Sequence, residues 1–330
     1  MVRYEPQLAT LVADAPDGDS WLHEIKYDGY RIGCVVRRGK AQLISRNGND
    51  WSERFAEVAA AAAALPVTSA QLDGEVAVLM PNGVTSFQAL QNALGAQDRS
   101  LVYFAFDLHE LDGEDLRRHP LEERKAALRG VIERAAARAD STIRYSDHVV
   151  GQGPRFFAEA CRTGLEGIVA KRRSEPHRGG RTTGWLKIKC VRRQELVIGG
   201  FTEPEGTRAG LGALLLGAYD DDGALTYAGK VGTGFTQKTA TALRKRLGQI
   251  EREECPFEPR PEARLVKNAH WVQPTLVAEV AFAEWTADGR IRHSSFQGLR
   301  EDRSAREVRR ERPEPLPAGG PKKKRGPRRR

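Results

Sequence analysis

The stretch Glu24-Ile25-Lys26-Tyr27-Asp28-Gly29-Tyr30-Arg31 sets the frame for the rest of the chain. Trp21, Leu22 and Ile25 give the preceding run the pattern of a half-buried strand. Asp28-Gly29 is a tight-turn signal ahead of a second strand from Tyr30 to Arg37, so the octapeptide reads as a hairpin. Lys26 then falls at a strand end, beside the turn. A free lysine titrates at about 10.4, which leaves about one amine in a thousand unprotonated and nucleophilic at neutral pH. If Lys26 attacks anything, neighbouring cations must lower that value, and Arg31, Arg46, Lys187, Lys189 and Arg300 are the candidates. Taken alone, the octapeptide is equally the tip of a surface hairpin with a solvated lysine and aspartate.

A chain of 330 residues is too long for one ordinary core and fits two domains better. With 40% hydrophobic and 29% charged residues it reads as soluble and globular. No run of 18 apolar residues exists, so no membrane association is expected. Nor does the N-terminus carry an apolar export signal. The formal charge is +9, but Lys322, Lys323, Lys324, Arg325, Arg328, Arg329 and Arg330 supply seven of these charges and leave +2 for the body. Any nucleic-acid surface on the body must therefore come from how its charges are distributed. Cys34, Cys161, Cys190 and Cys255 are scattered without a C-x-x-C pair and read as reduced thiols of a cytosolic protein.

Further runs carry chemistry-bearing residues at strand ends. Lys40 to Ser45 reads as a strand ending in the turn Arg46-Asn47-Gly48, and Asp50 as the cap of a helix from Trp51 to Leu65. Leu72-Asp73-Gly74-Glu75 reads as an Asp-Gly turn entering an apolar strand, which leaves Glu75 unexplained: an unpaired acid at the mouth of a buried strand is costly. Leu101 to Leu108 is a strand with aromatics on both faces. A helix from Leu121 to Ala139 shows a solvated arginine face. Glu166-Gly167-Ile168-Val169-Ala170-Lys171-Arg172 is another strand entered by an acid. In Trp185-Leu186-Lys187-Ile188-Lys189 the alternation puts both lysines on one strand face, where like charges repel unless an anion lies between them. From about Glu195 the texture changes to short strands with glycine turns and one helix, Thr236 to Ile250, the pattern of a small β-barrel of the oligonucleotide-binding (OB) type.

Seven motifs in order, from the Lys26 octapeptide through Arg46-Asn47-Gly48, Leu72-Asp73-Gly74-Glu75, Ala105-Phe106-Asp107, the Glu166 run and the Trp185 run to Gly298-Leu299-Arg300-Glu301-Asp302, resemble the covalent nucleotidyltransferases. Within that superfamily they look most like ATP-dependent DNA ligases, and closest to the ligase module of bacterial non-homologous end-joining enzymes. The resemblance implies an α+β adenylation domain of antiparallel sheets with flanking helices over 1–192, an OB-fold domain over 193–310, and a basic tail or linker over 311–330.

It further implies that Lys26 takes AMP from ATP as a phosphoramide, with Lys187 and Lys189 neutralising the α-phosphate and Arg300 and Asp302 orienting pyrophosphate once the barrel swings over the cleft. Glu75 and Glu166 would hold Mg²⁺ or Mn²⁺, and Glu75 can also touch the ribose. Phe106 would stack on one adenine face and Ile168 or Val169 on the other. Glu24 and the backbone at Ile25 would read the base edge, Arg31 the ribose, and Arg46 the 5′-phosphate or sugar beside a nick. A hinge is expected near Cys190 to Glu195. The last motif usually ends in lysine where this chain has Arg303, so no role carries to that position. Broken or nicked duplex DNA is the implied substrate, for a monomer in the cytoplasm on the bacterial nucleoid, with a Ku-like end-binding protein and polymerase or nuclease modules as partners. An RNA ligase or capping-type enzyme, and a non-catalytic end-binding module, remain alternatives at this stage.

Overall fold

The computed structural model describes residues 4–93, 101–136, 142–204 and 210–317. Two sheets build the N-terminal part. A five-stranded sheet places Trp21–Ile25 beside Gly167–Arg172, then Gly180–Lys189, then Gln7–Leu11, with Val149–Val150 at the other edge. A six-stranded sheet is built around Tyr30–Arg37, Ser69–Val78 and Leu101–Leu111, with Lys40–Ser45 at one edge. Both are mainly antiparallel, but Gln7–Leu11 pairs parallel to Gly180–Lys189.

The strands flanking the octapeptide therefore do not form the expected hairpin. Trp21–Ile25 lies in one sheet and Tyr30–Arg37 in the other, so residues 26–29 cross between them. Asp28 anchors this crossing. Its backbone N–H donates to Thr85 Oγ1 at 2.9 Å, and its carboxylate accepts from Phe87 N at 3.0 Å and from Arg193 Nη1 at 2.5 Å. Gly29 is needed for closeness, since a Cβ there would lie 2.1 Å from the carbonyl oxygen of Val76.

Asp73-Gly74 is likewise no turn. Both residues sit inside the continuous strand Ser69–Val78, where the register against Leu101–Leu111 shifts between Gln71 and Leu72 and again between Asp73 and Gly74. Gly74 makes room for the Tyr103 ring, which a Cβ would meet at 2.5 Å. The helix after Asp50 starts later than expected, at Ala56–Ala63, because Asp50 accepts from Ser52 N and forms a local turn instead of a cap. The helix Leu121–Ala136 forms as expected, and its anticipated end lies outside the described residues.

From Arg193 the chain enters a seven-stranded antiparallel sheet with its own core of Leu196, Ile198, Phe201, Leu214, Leu216 and Val280. The helix Gln237–Gly248 packs on it, capped by the Thr236 side chain, which accepts from Thr239 N. Fold class is therefore as expected, a two-sheet α+β body followed by a β-barrel domain. The cysteines are not. Cys161 and Cys190 are joined by a disulfide, and only Cys34 and Cys255 are free. The spacing of 29 residues gave no local pair to recognise; the fold brings the end of the Gly180–Lys189 strand against the helix Gly153–Arg162. Residues 311–317, expected to open a tail, are instead held against the body: Glu314 N donates to Leu11 O at 2.8 Å. The basic run at 322–330 lies outside the described residues.

Candidate active site

Where the two sheets face each other, a pocket is lined by Lys26, Glu24, Ile25, Arg31, Arg46, Glu75, Phe106, Glu166, Val169, Lys187, Lys189 and Arg300 among others. These residues are contributed by strands far apart in sequence, each presenting alternate side chains to one face. Gly167–Arg172 pairs antiparallel with both Trp21–Ile25 and Gly180–Lys189, so Val169 sits opposite Glu24 on one side and Lys187 on the other. The same alternation excludes Ile168, which is fully buried in the core with Val12, Trp21 and Leu186. Val169 alone of the expected pair reaches the pocket.

Lys26 Nζ donates to Glu166 Oε2 at 2.6 Å. Burial works against the charge of this amine, but the carboxylates of Glu166, Asp28 and Glu75 outweigh it and hold Lys26 above the ordinary lysine range. The expectation that surrounding cations depress it is thus reversed. The Glu75 carboxyl makes no side-chain hydrogen bond among the described residues. Burial pushes its carboxyl up to about 8, against the opposing pull of Lys26, Arg300 and Arg31. A half-buried carboxylate of this kind, sharing a pocket and the neighbour Lys26 with Glu166, offers with it hard oxygens that suit a divalent cation.

Glu24 is 2% exposed and receives Lys125 Nζ at 2.8 Å, Lys171 Nζ at 2.9 Å and Ser146 Oγ at 2.9 Å. Arg31, expected at the ribose, lines the pocket. Its guanidinium makes a bidentate pair with Asp73, at 3.0 and 2.6 Å, and lies over Phe106 and Trp185 at 5.1 and 5.4 Å. Phe106 meets Trp185 edge to face at 6.0 Å, so the aromatic wall has two members, not one. Trp185 lies two residues before Lys187 on the same strand face, and the alternation that singled out the lysines could have found it. Lys171 has no expected role either: it sits 4.3 Å over Phe106 and 4.2 Å over Trp185, and burial brings its amine down to about 8.

The barrel closes the pocket. Arg300 Nη1 donates to Gly29 O at 3.3 Å, and Tyr30 Oη to Leu299 O at 3.3 Å. Asp302, 1% exposed, holds Arg300 through bonds of 2.9 and 2.7 Å and does not itself line the pocket. Glu301 pairs with Arg54 at 2.8 Å and Arg246 at 3.0 Å. Arg46 is close to Arg303, and burial, followed by that like charge, lowers it to about 10. Arg303 lines the pocket and pairs with Glu195 at 3.1 Å, so the position that departs from the usual lysine keeps a cation at the site. Lys187 and Lys189 both donate to Glu311, the latter at 2.8 Å. Nothing in the sequence singles out Glu311.

A strand-end lysine facing two carboxylates and two lysines, with a barrel closing over it, defines a nucleotidyltransferase of the ligase type. The chain belongs to the ATP-dependent DNA ligase family: the description "ATP dependent DNA ligase domain" matches residues 6–189, and "ATP dependent DNA ligase C terminal region" matches 207–303. It is 42% identical over 322 residues to the multifunctional non-homologous end joining protein LigD of Pseudomonas aeruginosa, covering 96% of this chain and 38% of that one. Against the Mycobacterium tuberculosis LigD it is 38% identical over 309 residues, 93% of this chain and 40% of the relative. The chain thus spans about two fifths of the length of these relatives. The solved structure of a mycobacterial DNA ligase D complexed with ATP and MES superposes with a TM-score of 0.69 at 35% identity, covering 93% of this chain and 98% of that one.

Proposed function

We propose that this chain seals 5′-phosphate/3′-hydroxyl breaks in duplex DNA through a lysyl-AMP intermediate on Lys26, as the ligase part of bacterial non-homologous end joining. The observation that carries this reading is the placement of one amine, Lys26, in contact with Glu166 and in a single pocket with Glu75, Lys187, Lys189 and Arg300. Lys26 Nζ attacks the α-phosphorus of ATP, forming a nitrogen–phosphorus bond as the bond to pyrophosphate breaks. Two lysines on one strand face neutralise the charge that grows on the α-phosphate, and Arg300, fixed by Asp302, faces the departing pyrophosphate. The AMP then passes to a DNA 5′-phosphate, and the 3′-hydroxyl expels it to close the strand.

Phe106, Trp185 and Val169 form the walls between which the adenine stacks, Glu24 and the Ile25 backbone meet the base edge, and Arg46 is aimed at a phosphate beside the break. Glu75 and Glu166 fit a Mg²⁺ or Mn²⁺ ion, as the raised carboxyl of Glu75 supports. Bound there, the cation supplies positive charge that lowers the Lys26 amine and stabilises the α-phosphate. The boundaries 1–192 and 193–310 define the two domains, with a hinge at 190–195 that lets the barrel reopen to receive DNA. A Ku-like protein delivering the ends, a monomeric chain, and action in the cytoplasm on the nucleoid complete the reading.

Incubation with α-labelled ATP and metal, then denaturing electrophoresis of the wild type and Lys26→Ala, tests it. Label is expected on the wild type alone, and label that survives the substitution refutes the nucleophile. Competition between nicked DNA and nicked RNA separates a DNA ligase from an RNA ligase.

A further inference from the structure

Two candidate anion or cation positions stand out beyond the residues already given roles. Asp107, His109 and His177 gather closely enough to ligate an ion. Asp107, however, already makes two 2.8 Å bonds to Arg124, and the neighbouring Asp73 is taken by Arg31, so an ion there would have to displace a guanidinium. The second is Glu311. It lies beyond the last ligase motif, and its carboxylate bridges Lys187 and Lys189, 122 and more residues away in sequence.

Glu311 does not reach the lysines by chance of a loose side chain. Gln194, 3% exposed, clamps the backbone leading into it: Nε2 donates to Arg309 O at 3.0 Å, and Oε1 accepts from Glu311 N at 3.1 Å. Three residues further on, Glu314 forms a parallel bridge with Val12, whose own N–H donates to Lys187 O at 3.1 Å. The segment 309–314 is therefore a strap from the barrel to the adenylation sheet, pinned at both ends around one carboxylate. Two adjacent lysines on a strand face repel unless an anion joins them, and the Glu311 carboxylate is the anion that does so.

We propose that Glu311 is a positioning residue that holds Lys187 and Lys189 in the place of the α-phosphate and must yield that place when ATP binds. The inference rests on the ligase reading of the pocket. A carboxylate and a phosphate cannot share the same two ammonium groups without repulsion, so each equivalent of ATP bound breaks the two Glu311 bonds. Burial opposes ionisation of the Glu311 carboxyl, but Lys187 and Lys189 outweigh it and hold the group well below the ordinary carboxylate range. Displacement leaves the strap held to the adenylation sheet at Glu314, while Gln194, Tyr219 and Trp285 still hold its barrel end. Nucleotide entry thereby loosens the link between barrel and sheet that reopening requires.

The test is the ATP dependence of Lys26 self-adenylylation in the full chain. In Glu311→Gln the ATP concentration giving half-maximal rate is expected to fall by about tenfold, the scale of one lost charge-assisted competitor. Glu311→Asp is expected to recover most of the wild-type value, and Glu314→Gln, whose side chain takes no part, to match wild type. Binding of α,β-methylene ATP gives the same comparison without turnover, and thermal melts identify any variant that fails to fold. Amide hydrogen exchange over 308–316 should rise when the analogue binds to wild type and be already raised in Glu311→Gln. Half-saturation that is unchanged or higher in Glu311→Gln, in a folded protein, overturns the proposal. A wild type that takes no label at all instead refutes the ligase reading on which it stands.

Discussion

Lys26 Nζ and Glu166 Oε2 are 2.6 Å apart, a contact between the end of one strand and the mouth of another 140 residues later. A carboxylate at this distance favours the protonated, non-nucleophilic form of the Lys26 amine. The sign follows from the charges: a carboxylate partner favours the ammonium, so removing it lowers the amine's pKa, and burial then lowers it further. In metal-free protein, Glu166→Gln is expected to shift the pH midpoint for acylation of Lys26 to lower pH. Peptide-resolved mass spectrometry after acetic anhydride at stepped pH reads it. A midpoint that stays put or rises contradicts the pairing.

Glu75 stands at about 8, so near neutral pH it carries a proton in the metal-free protein. A divalent cation binds the ionised form and must release that proton. Affinity for Mn²⁺ should therefore strengthen as pH rises toward 8 and level off above it. In Glu75→Gln the slope disappears, and self-adenylylation falls by about 100-fold, the scale of losing one electrostatic stabiliser. Calorimetry in two buffers of different ionisation heat measures the proton released. No proton release in wild type would contradict the raised carboxyl.

The Cys161–Cys190 bridge closes 29 residues of chain between the helix Gly153–Arg162 and the start of the barrel linker. Cross-links of this span stabilise by roughly 3.5 kcal/mol in the loop-entropy picture. Cys161→Ser, or wild type in reductant, should lose about 2–4 kcal/mol in urea unfolding relative to the oxidised protein. Equal midpoints with and without reductant would show that the bridge contributes nothing.

Much of the pocket was legible because strand alternation is a two-residue rule: Lys187, Lys189 and Val169 all face the pocket, and the acids Glu75 and Glu166 line it with them. Alternation also decides between Ile168 and Val169, but only once the pocket-facing side of the strand is known. Asp28-Gly29 and Asp73-Gly74 misled for one shared reason. Asp-Gly is a turn signal when local backbone dihedrals decide, whereas here both glycines are required by non-local crowding, against Val76 O and the Tyr103 ring. Glu311, Gln194 and the disulfide were illegible because their partners lie on separate elements with no periodic signature. The pairing that keeps Lys26 protonated was beyond reach for the same reason, since charge sign at a site depends on which distant acids arrive there.

Gly29 offers the sharpest check of the crossing between sheets. A methyl group at this position would sit 2.1 Å from Val76 O and 3.1 Å from Ala77 Cβ, in backbone that cannot swing aside like the end of a long side chain. The segment 26–29 would have to lift from the Ser69–Val78 strand, and the Asp28 bonds to Thr85, Phe87 and Arg193 would lengthen with it. Gly29→Ala is expected to cost about 2–4 kcal/mol of stability, as overpacking against backbone does, and to cut self-adenylylation more than tenfold by displacing Lys26. Had a simple hairpin turn been its only role, the same substitution would change stability by about 1 kcal/mol and leave labelling intact. Urea unfolding together with single-turnover labelling at saturating ATP separates the two outcomes.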